Sequence, residues 1–76
     1  MILDSFTGND DRIYNSAEKM NYFCIVNRSN EDLTFTINNI ITKVTPEDYS
    51  FENMFSPFNR VSIVANGEFE AKVGVV

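Results

Sequence analysis

Residues 33–44 read LTFTINNIITKV, two alternating runs of apolar and polar residues separated by two asparagines. Asparagine tolerates the left-handed backbone angles that a two-residue hairpin turn requires. Such a turn places six side chains on one mostly apolar face, in the pairs Leu33 with Val44, Phe35 with Thr42 and Ile37 with Ile40. Ile41 then lies on the opposite face. The stretch therefore predicts an antiparallel hairpin with one buried face.

A second pair of alternating runs, PFNRVSIVANGEFEAKV, occupies residues 57–73. A two-residue turn would set apolar side chains opposite charged ones. A three-residue loop ending in Gly67 instead pairs Ile63 with Phe69 and leaves Val64 on the outer face. This loop needs a positive φ at its third position, which glycine adopts without steric cost. The sequence predicts a second hairpin, closed by a bulged turn.

Short strands with frequent turns run along the rest of the chain. Ten asparagines punctuate the apolar runs, which is typical of turn positions. Residues 12–14 predict a short edge strand, and residues 22–26 predict either a central strand or a helix segment. The 76 residues predict a single domain, 1–76, folded as a compact antiparallel β-sandwich of six to seven short strands.

Residues 45–58 carry the one helix signal in the chain. Thr45 is a candidate N-cap, followed by proline and two acidic residues. The apolar side chains recur at helical spacing, at Phe51, Met54, Phe55 and Phe58. The segment predicts either a single helical turn or a long arched loop. In both cases Phe55, Pro57 and Phe58 are expected to be structural residues that close the core.

Composition excludes several classes of function. The formal net charge is −5, with 11 acidic residues dispersed along the chain, which argues against binding to nucleic acid through its phosphates. One cysteine, Cys24, and no histidine leave no intrachain disulfide and no zinc site. No apolar run approaches the roughly 20 residues of a membrane span, so we expect a chain made in the cytoplasm.

The sequence offers no constellation of catalytic residues. Without histidine there is no Ser/His or Cys/His pair, and the three glycines are isolated. We therefore expect no enzymatic activity, no catalytic residues, no cofactor and no metal. Carbohydrate binding would need exposed aromatic residues, and the candidates are Tyr14, Tyr22 and Tyr49. The favoured interpretation is that each tyrosine packs its ring and points its hydroxyl group at water.

Residues 23–73 resemble a known β domain. The resemblance rests on an aromatic-rich Phe-x-Pro-Phe segment, a Val-x-Ile strand, a glycine turn and an aromatic-x-Ala strand. The matching positions are Phe55, Pro57, Phe58, Val61, Ile63, Gly67, Phe69 and Ala71. The domain occurs in head-fibre, decoration and tail-tip virion proteins of tailed bacteriophages of Gram-positive hosts. This chain departs from the pattern at Thr45-Pro46, where the family often has a glycine.

The resemblance implies a structural role in the virion, as a capsid decoration, head-fibre or tail component that docks on other virion proteins. One alternative is a carbohydrate-binding module for a host cell-wall glycan, and another is an acidic inhibitor of a host protein. A small domain without a disulfide or metal favours association, either as a homotrimer or on a larger subunit. The candidate contact residues are Ile41, Val64 and the apolar C-terminus, with Val73, Val75 and Val76.

Overall fold

We describe a computed structural model that covers residues 1–76. It contains six β-strands and no helix: β1 Ile2–Gly8, β2 Arg12–Asn27, β3 Leu33–Ile37, β4 Ile40–Val44, β5 Ser50–Val64 and β6 Phe69–Gly74. They form one antiparallel sheet with the order β1-β6-β2-β5-β3-β4. The all-β class predicted from the turn spacing is confirmed.

The sheet folds over on itself and so resembles a sandwich. Strands β2 and β5 are 16 and 15 residues long, and the register of their pairing shifts twice between Asn15 and Tyr22. β5 separates β2 from β3 in the sheet, yet the ring centroids of Phe23 and Phe35 are only 4.8 Å apart. The two halves of the sheet therefore face each other across one core.

The core is made of side chains from β2 to β6 and the loop after β5. It contains Tyr14, Met20, Phe23, Ile25, Leu33, Phe35, Ile37, Val44, Phe58, Val61, Ile63, Ala65, Phe69, Ala71 and Val73. Strand β1 adds only the partly buried Phe6, which packs against this cluster. Apolar burial of this kind is the main term that stabilises so small a domain.

The hairpin of β3 and β4 has the predicted register. Leu33 pairs with Val44, Phe35 with Thr42, and Ile37 with Ile40. Both turn residues, Asn38 and Asn39, have positive φ, at 52° and 65°. This is the backbone of a two-residue turn with left-handed angles at both central positions. Ile40, on the edge strand β4, is nevertheless 62% exposed, although its partner Ile37 is 1% exposed.

The predicted hairpin of residues 57–73 is wrong. β5 pairs with β2 and β3, whereas β6 lies between β1 and β2, and no glycine has a positive φ. The loop after β5 thus crosses from one half of the sheet to the other. The predicted core faces are correct, since Val61, Ile63 and Phe69 are buried. Alternation determines which side chains turn inward but not which strand lies alongside.

Glycine is required at position 67 because Ser29 lies too close to leave room for a side chain, and not because of its backbone angle. A Cβ atom there would lie 2.3 Å from the Cβ of Ser29, and at Gly74 it would lie 2.1 Å from the backbone oxygen of Met1. We expect Gly67→Ala and Gly74→Ala each to cost about 1–3 kcal/mol through overpacking. Gly74→Ala should cost at least as much as Gly67→Ala, although Gly74 is near the chain end, because the backbone of β1 must move.

Thermal denaturation checks both substitutions, with Asn66→Ala as the control because Asn66 is exposed. The control should melt close to the wild type. A Gly74→Ala variant that melts like the control would contradict the packing of β1 against the end of β6.

Residues 45–58 form a single turn and then a strand, so the predicted helical turn is confined to the start of the segment and the arched loop is not present. Thr45 does begin a helical turn. Its Oγ1 accepts from the Asp48 amide at 3.1 Å, and its own amide donates to Asp48 Oδ2 at 3.1 Å. The amide of Tyr49 donates to the Thr45 carbonyl at 3.2 Å. Tyr49 then adopts a φ of 66°, which ends the turn, and β5 begins at Ser50.

The helical spacing of the aromatic residues in β5 has another cause. Phe51 and Phe55 are half-buried and Phe58 is buried, so the inward positions change parity between residues 55 and 58. This change coincides with the register shift in the pairing of β2 with β5. Pro57 lies in the same segment, where a missing amide hydrogen bond is tolerated. The spacing that resembles a helical repeat therefore results from an irregularity in a β-strand.

Candidate functional site

One side of the folded sheet carries a row of exposed apolar residues. Thr36 pairs with Ile41 on β4 and with Ser62 on β5, and Ser62 pairs with Ile13 on β2. Directly paired residues point to the same side of a sheet. In the next row Thr34 pairs with both Val64 and Lys43. We call this surface the outer face and define it by Ile13, Thr34, Thr36, Ile41, Lys43, Ser62 and Val64.

The apolar members of the outer face are open to solvent. Ile13, Ile41 and Val64 are 54%, 71% and 56% exposed. Ile41 and Val64 are two of the predicted contact residues, and the structure brings them onto one surface. Ile13 was not predicted, because its strand was not known to pair with β5.

The outer face continues to a free edge of the sheet. β4 is the last strand, so its outward amide and carbonyl groups have no strand partner. An unpaired edge can accept a further strand from another chain. The other edge strand is β1.

The C-terminus is held by this chain's own atoms. The Val75 amide donates to the Met1 carbonyl at 3.0 Å, and the Val76 amide donates to Asn21 Oδ1 at 2.8 Å. Val73 is fully buried, Val75 is half-buried and Val76 is 77% exposed. The C-terminal strand is therefore not a free edge, because β6 lies between β1 and β2, and the predicted contact of Val75 and Val76 with a partner stays a prediction. The side chain of Val73 belongs to the core.

A shallow cleft lies where the two long strands change register. Its volume is about 310 Å³, and we call it the corner cleft. It is lined by Lys19, Asn38, Asn39, Asn59 and Arg60, with Phe58 beneath them and with Thr36 and Ser62 at the border with the outer face. Lys19 belongs to the segment of β2 where the register shifts, and bulges of this kind redirect side chains.

The hairpin turn forms one wall of the corner cleft. Asn38 Nδ2 donates to the Ser56 carbonyl at 3.0 Å and so ties the turn to β5. No aspartate or glutamate lines the cleft. Sequence reasoning did not find this site, because its members come from three separate segments joined only by the fold.

The three candidate tyrosines do not form a common binding rim. The Tyr14 ring stacks on Phe6 at 4.8 Å, and its hydroxyl donates to Asp4 at 3.0 Å. Burial, and then the Asp4 carboxylate, raise the pKa of Tyr14. The Tyr22 hydroxyl donates to Glu52, and this hydrogen bond is the main reason why the pKa of Tyr22 is raised.

Tyr49 is exposed, and its hydroxyl accepts a hydrogen bond from Arg28 at 3.2 Å. Arg28 also pairs with Glu70, whose carboxylate raises the pKa of the guanidinium group. Each tyrosine thus has a local partner in a different part of the structure.

The three residues that were predicted to close the core differ in their environments. Phe58 is 2% exposed, whereas Phe55 is half-buried and Pro57 is exposed. The Phe55 ring nevertheless packs against the aromatic core, since its centroid lies 6.3 Å from that of Phe35 and 6.0 Å from that of Phe58.

Asn27 is a buried polar residue with a structural role that the sequence did not reveal. Its Nδ2 donates to the carbonyls of Glu31 at 2.7 Å and Val44 at 3.0 Å. Its Oδ1 accepts from the amide of Ser29 at 3.0 Å and from the hydroxyl of the same residue at 2.9 Å. These contacts join the ends of β2 and β4 through the intervening loop. Sequence alone marked Asn27 only as a turn residue.

The structure contains no group of three or more potential metal-ligating side chains. Cys24 is a free, half-buried thiol on β2. No helix capable of crossing a membrane is present.

Comparison with known proteins adds no assignment. The chain matches no protein-family model, and neither a curated protein nor a solved structure is similar to it.

Proposed function

We propose that this chain is a non-enzymatic structural component of a phage virion that docks on a larger virion protein. The observation that carries the proposal is the outer face, on which Ile13, Ile41 and Val64 are exposed on the same side of the sheet, with Ile41 on the free edge strand β4. Apolar residues grouped on one surface are typical of protein contact sites, whereas isolated ones need no explanation.

The neighbouring side chains suit a protein partner. Thr34, Thr36 and Ser62 separate the apolar residues, so the face combines apolar area with hydroxyl groups that both donate and accept hydrogen bonds. The β4 edge offers backbone groups to a strand of the partner. The resemblance of residues 23–73 to virion domains supports the virion as the setting.

Mass spectrometry of purified virions tests this proposal. Particles of the virus that encodes the chain should contain it after gradient purification, in a constant ratio to the major capsid or tail protein. Its absence from purified particles, together with its presence in infected cells, would contradict a structural role and favour an intracellular one.

A further inference from the structure

The corner cleft is an unusual electrostatic feature for this chain. Acidic residues outnumber lysine and arginine by 11 to 6. Even so, the cleft is lined by two cations, Lys19 and Arg60, and by no acid. The chain has two salt bridges, Arg28 with Glu70 and Lys43 with Asp32, and neither includes a cation of the cleft. Neither cation of the cleft is therefore paired with a carboxylate of the chain.

The remaining lining groups restrict the chemistry of a ligand. Three carboxamides, from Asn38, Asn39 and Asn59, can each donate and accept hydrogen bonds. This mixture matches ligand hydroxyl groups, which also do both. The one aromatic residue, Phe58, is 2% exposed and offers almost no apolar surface to a ligand. A ligand with several hydroxyl groups suits this lining better than an apolar one.

The size and charge of the site favour a small ligand over a long polyanion. Two cations and a volume of about 310 Å³ suit one or two sugar units, and the net charge of −5 opposes a nucleic-acid backbone. A guanidinium group binds a carboxylate or phosphate through two parallel hydrogen bonds. Asn38 and Asn39 form the hairpin turn and Asn59 belongs to β5, and the Asn38 carboxamide is fixed by its hydrogen bond to the Ser56 carbonyl.

We propose that the corner cleft binds an acidic sugar, with Arg60 and Lys19 on its carboxylate or phosphate group and the asparagine carboxamides on its hydroxyl groups. The cleft shares Thr36 and Ser62 with the outer face but none of its apolar residues, and ligand binding to it is tested without a protein partner. The alternative occupant, an acidic side chain of a protein, is included in the test.

NMR titration of the 15N-labelled chain tests the proposal, with glucuronic acid, glucose 6-phosphate, glucose and the dipeptide glutamyl-glutamate as probes. Both acidic sugars should cause saturable shifts of the amides of Lys19, Asn38, Asn39, Asn59 and Arg60. Glucose should bind at least about tenfold more weakly, because it lacks the charged group. Arg60→Gln and Lys19→Gln should each weaken binding of the acidic sugars about tenfold or more.

Lys72→Gln is the matched control, since Lys72 is an exposed cation on β6 that does not line the cleft. It should leave binding unchanged. The proposal is overturned if neither acidic sugar gives saturable shifts, or if Arg60→Gln binds as the wild type does. It is also overturned if glutamyl-glutamate binds as tightly as the sugars, which would assign the cleft to acidic protein side chains.

Discussion

Phe58→Ala is expected to lower the free energy of unfolding by roughly 3–5 kcal/mol, which in a domain of this size can prevent folding. Phe58 is 2% exposed and pairs with Met20 at the point where β2 and β5 change register. Removing its ring would leave a cavity between two bent strands. These strands cannot close the cavity without losing their pairing. Circular dichroism and urea denaturation of the purified variant measure the effect.

Phe55→Ala provides the comparison. Phe55 is only half-buried, so its truncation removes less buried area and should cost distinctly less than Phe58→Ala. Equal stabilities of Phe58→Ala and the wild type would show that the ring does not belong to the core.

Asn27→Ala is expected to destabilise the protein by about 3 kcal/mol. Two carbonyl groups lose a donor, although that of Glu31 keeps the Ser29 hydroxyl at 3.1 Å, and each buried group left without a partner costs about 1–3 kcal/mol. The Val44 carbonyl is the more important of the two, since its hydrogen bond with Asn27 is buried. An alanine also leaves the amide of Ser29 without its acceptor. Urea denaturation measures the loss.

Asn30→Ala is the matched control in the same loop. Asn30 is exposed, so its truncation should change stability by less than about 0.5 kcal/mol. If the two asparagine variants unfolded at the same urea concentration, Asn27 would not connect β2 with β4.

The register of the hairpin of residues 33–44 could be predicted because three signals agree there. The alternation, the two asparagines and the pairing of apolar residues all specify one register. No such agreement exists for residues 57–73. The same buried face results whether β6 lies beside β5 or faces it from the other half of the sheet. Pairing between distant segments, such as β6 with β1, leaves no local trace in a sequence.

Strand β1 and the continuity of β2 were not predicted, for a related reason. Most of β1 is exposed at the edge of the sheet, so its sequence lacks the alternation of apolar and polar residues that marks a strand with one buried face. In β2 the register shift after Asn15 interrupts the alternation, and the single strand reads as two separate elements. The same shift places Lys19 in the corner cleft, so the irregularity that hides the strand also creates the site.

The outer face was partly predictable. The alternation in the first hairpin turns Ile41 away from the core. In β5, residues 61 and 63 point inward, so the next residue, Val64, points outward. Their proximity to each other and to Ile13 depends on the order of β2, β5, β3 and β4, which only the structure provides.

Binding of the isolated chain to purified virions that lack it tests the outer face most directly. We expect the double variant Ile41→Lys/Val64→Lys to remain folded by circular dichroism, because both side chains are exposed, and to bind at least about tenfold more weakly than the wild type. Met54→Lys is the control, since Met54 is 61% exposed and pairs with Tyr22 in the other half of the sheet. It should bind as the wild type does. Equal binding of the double variant, the control and the wild type would contradict the outer face as the docking surface.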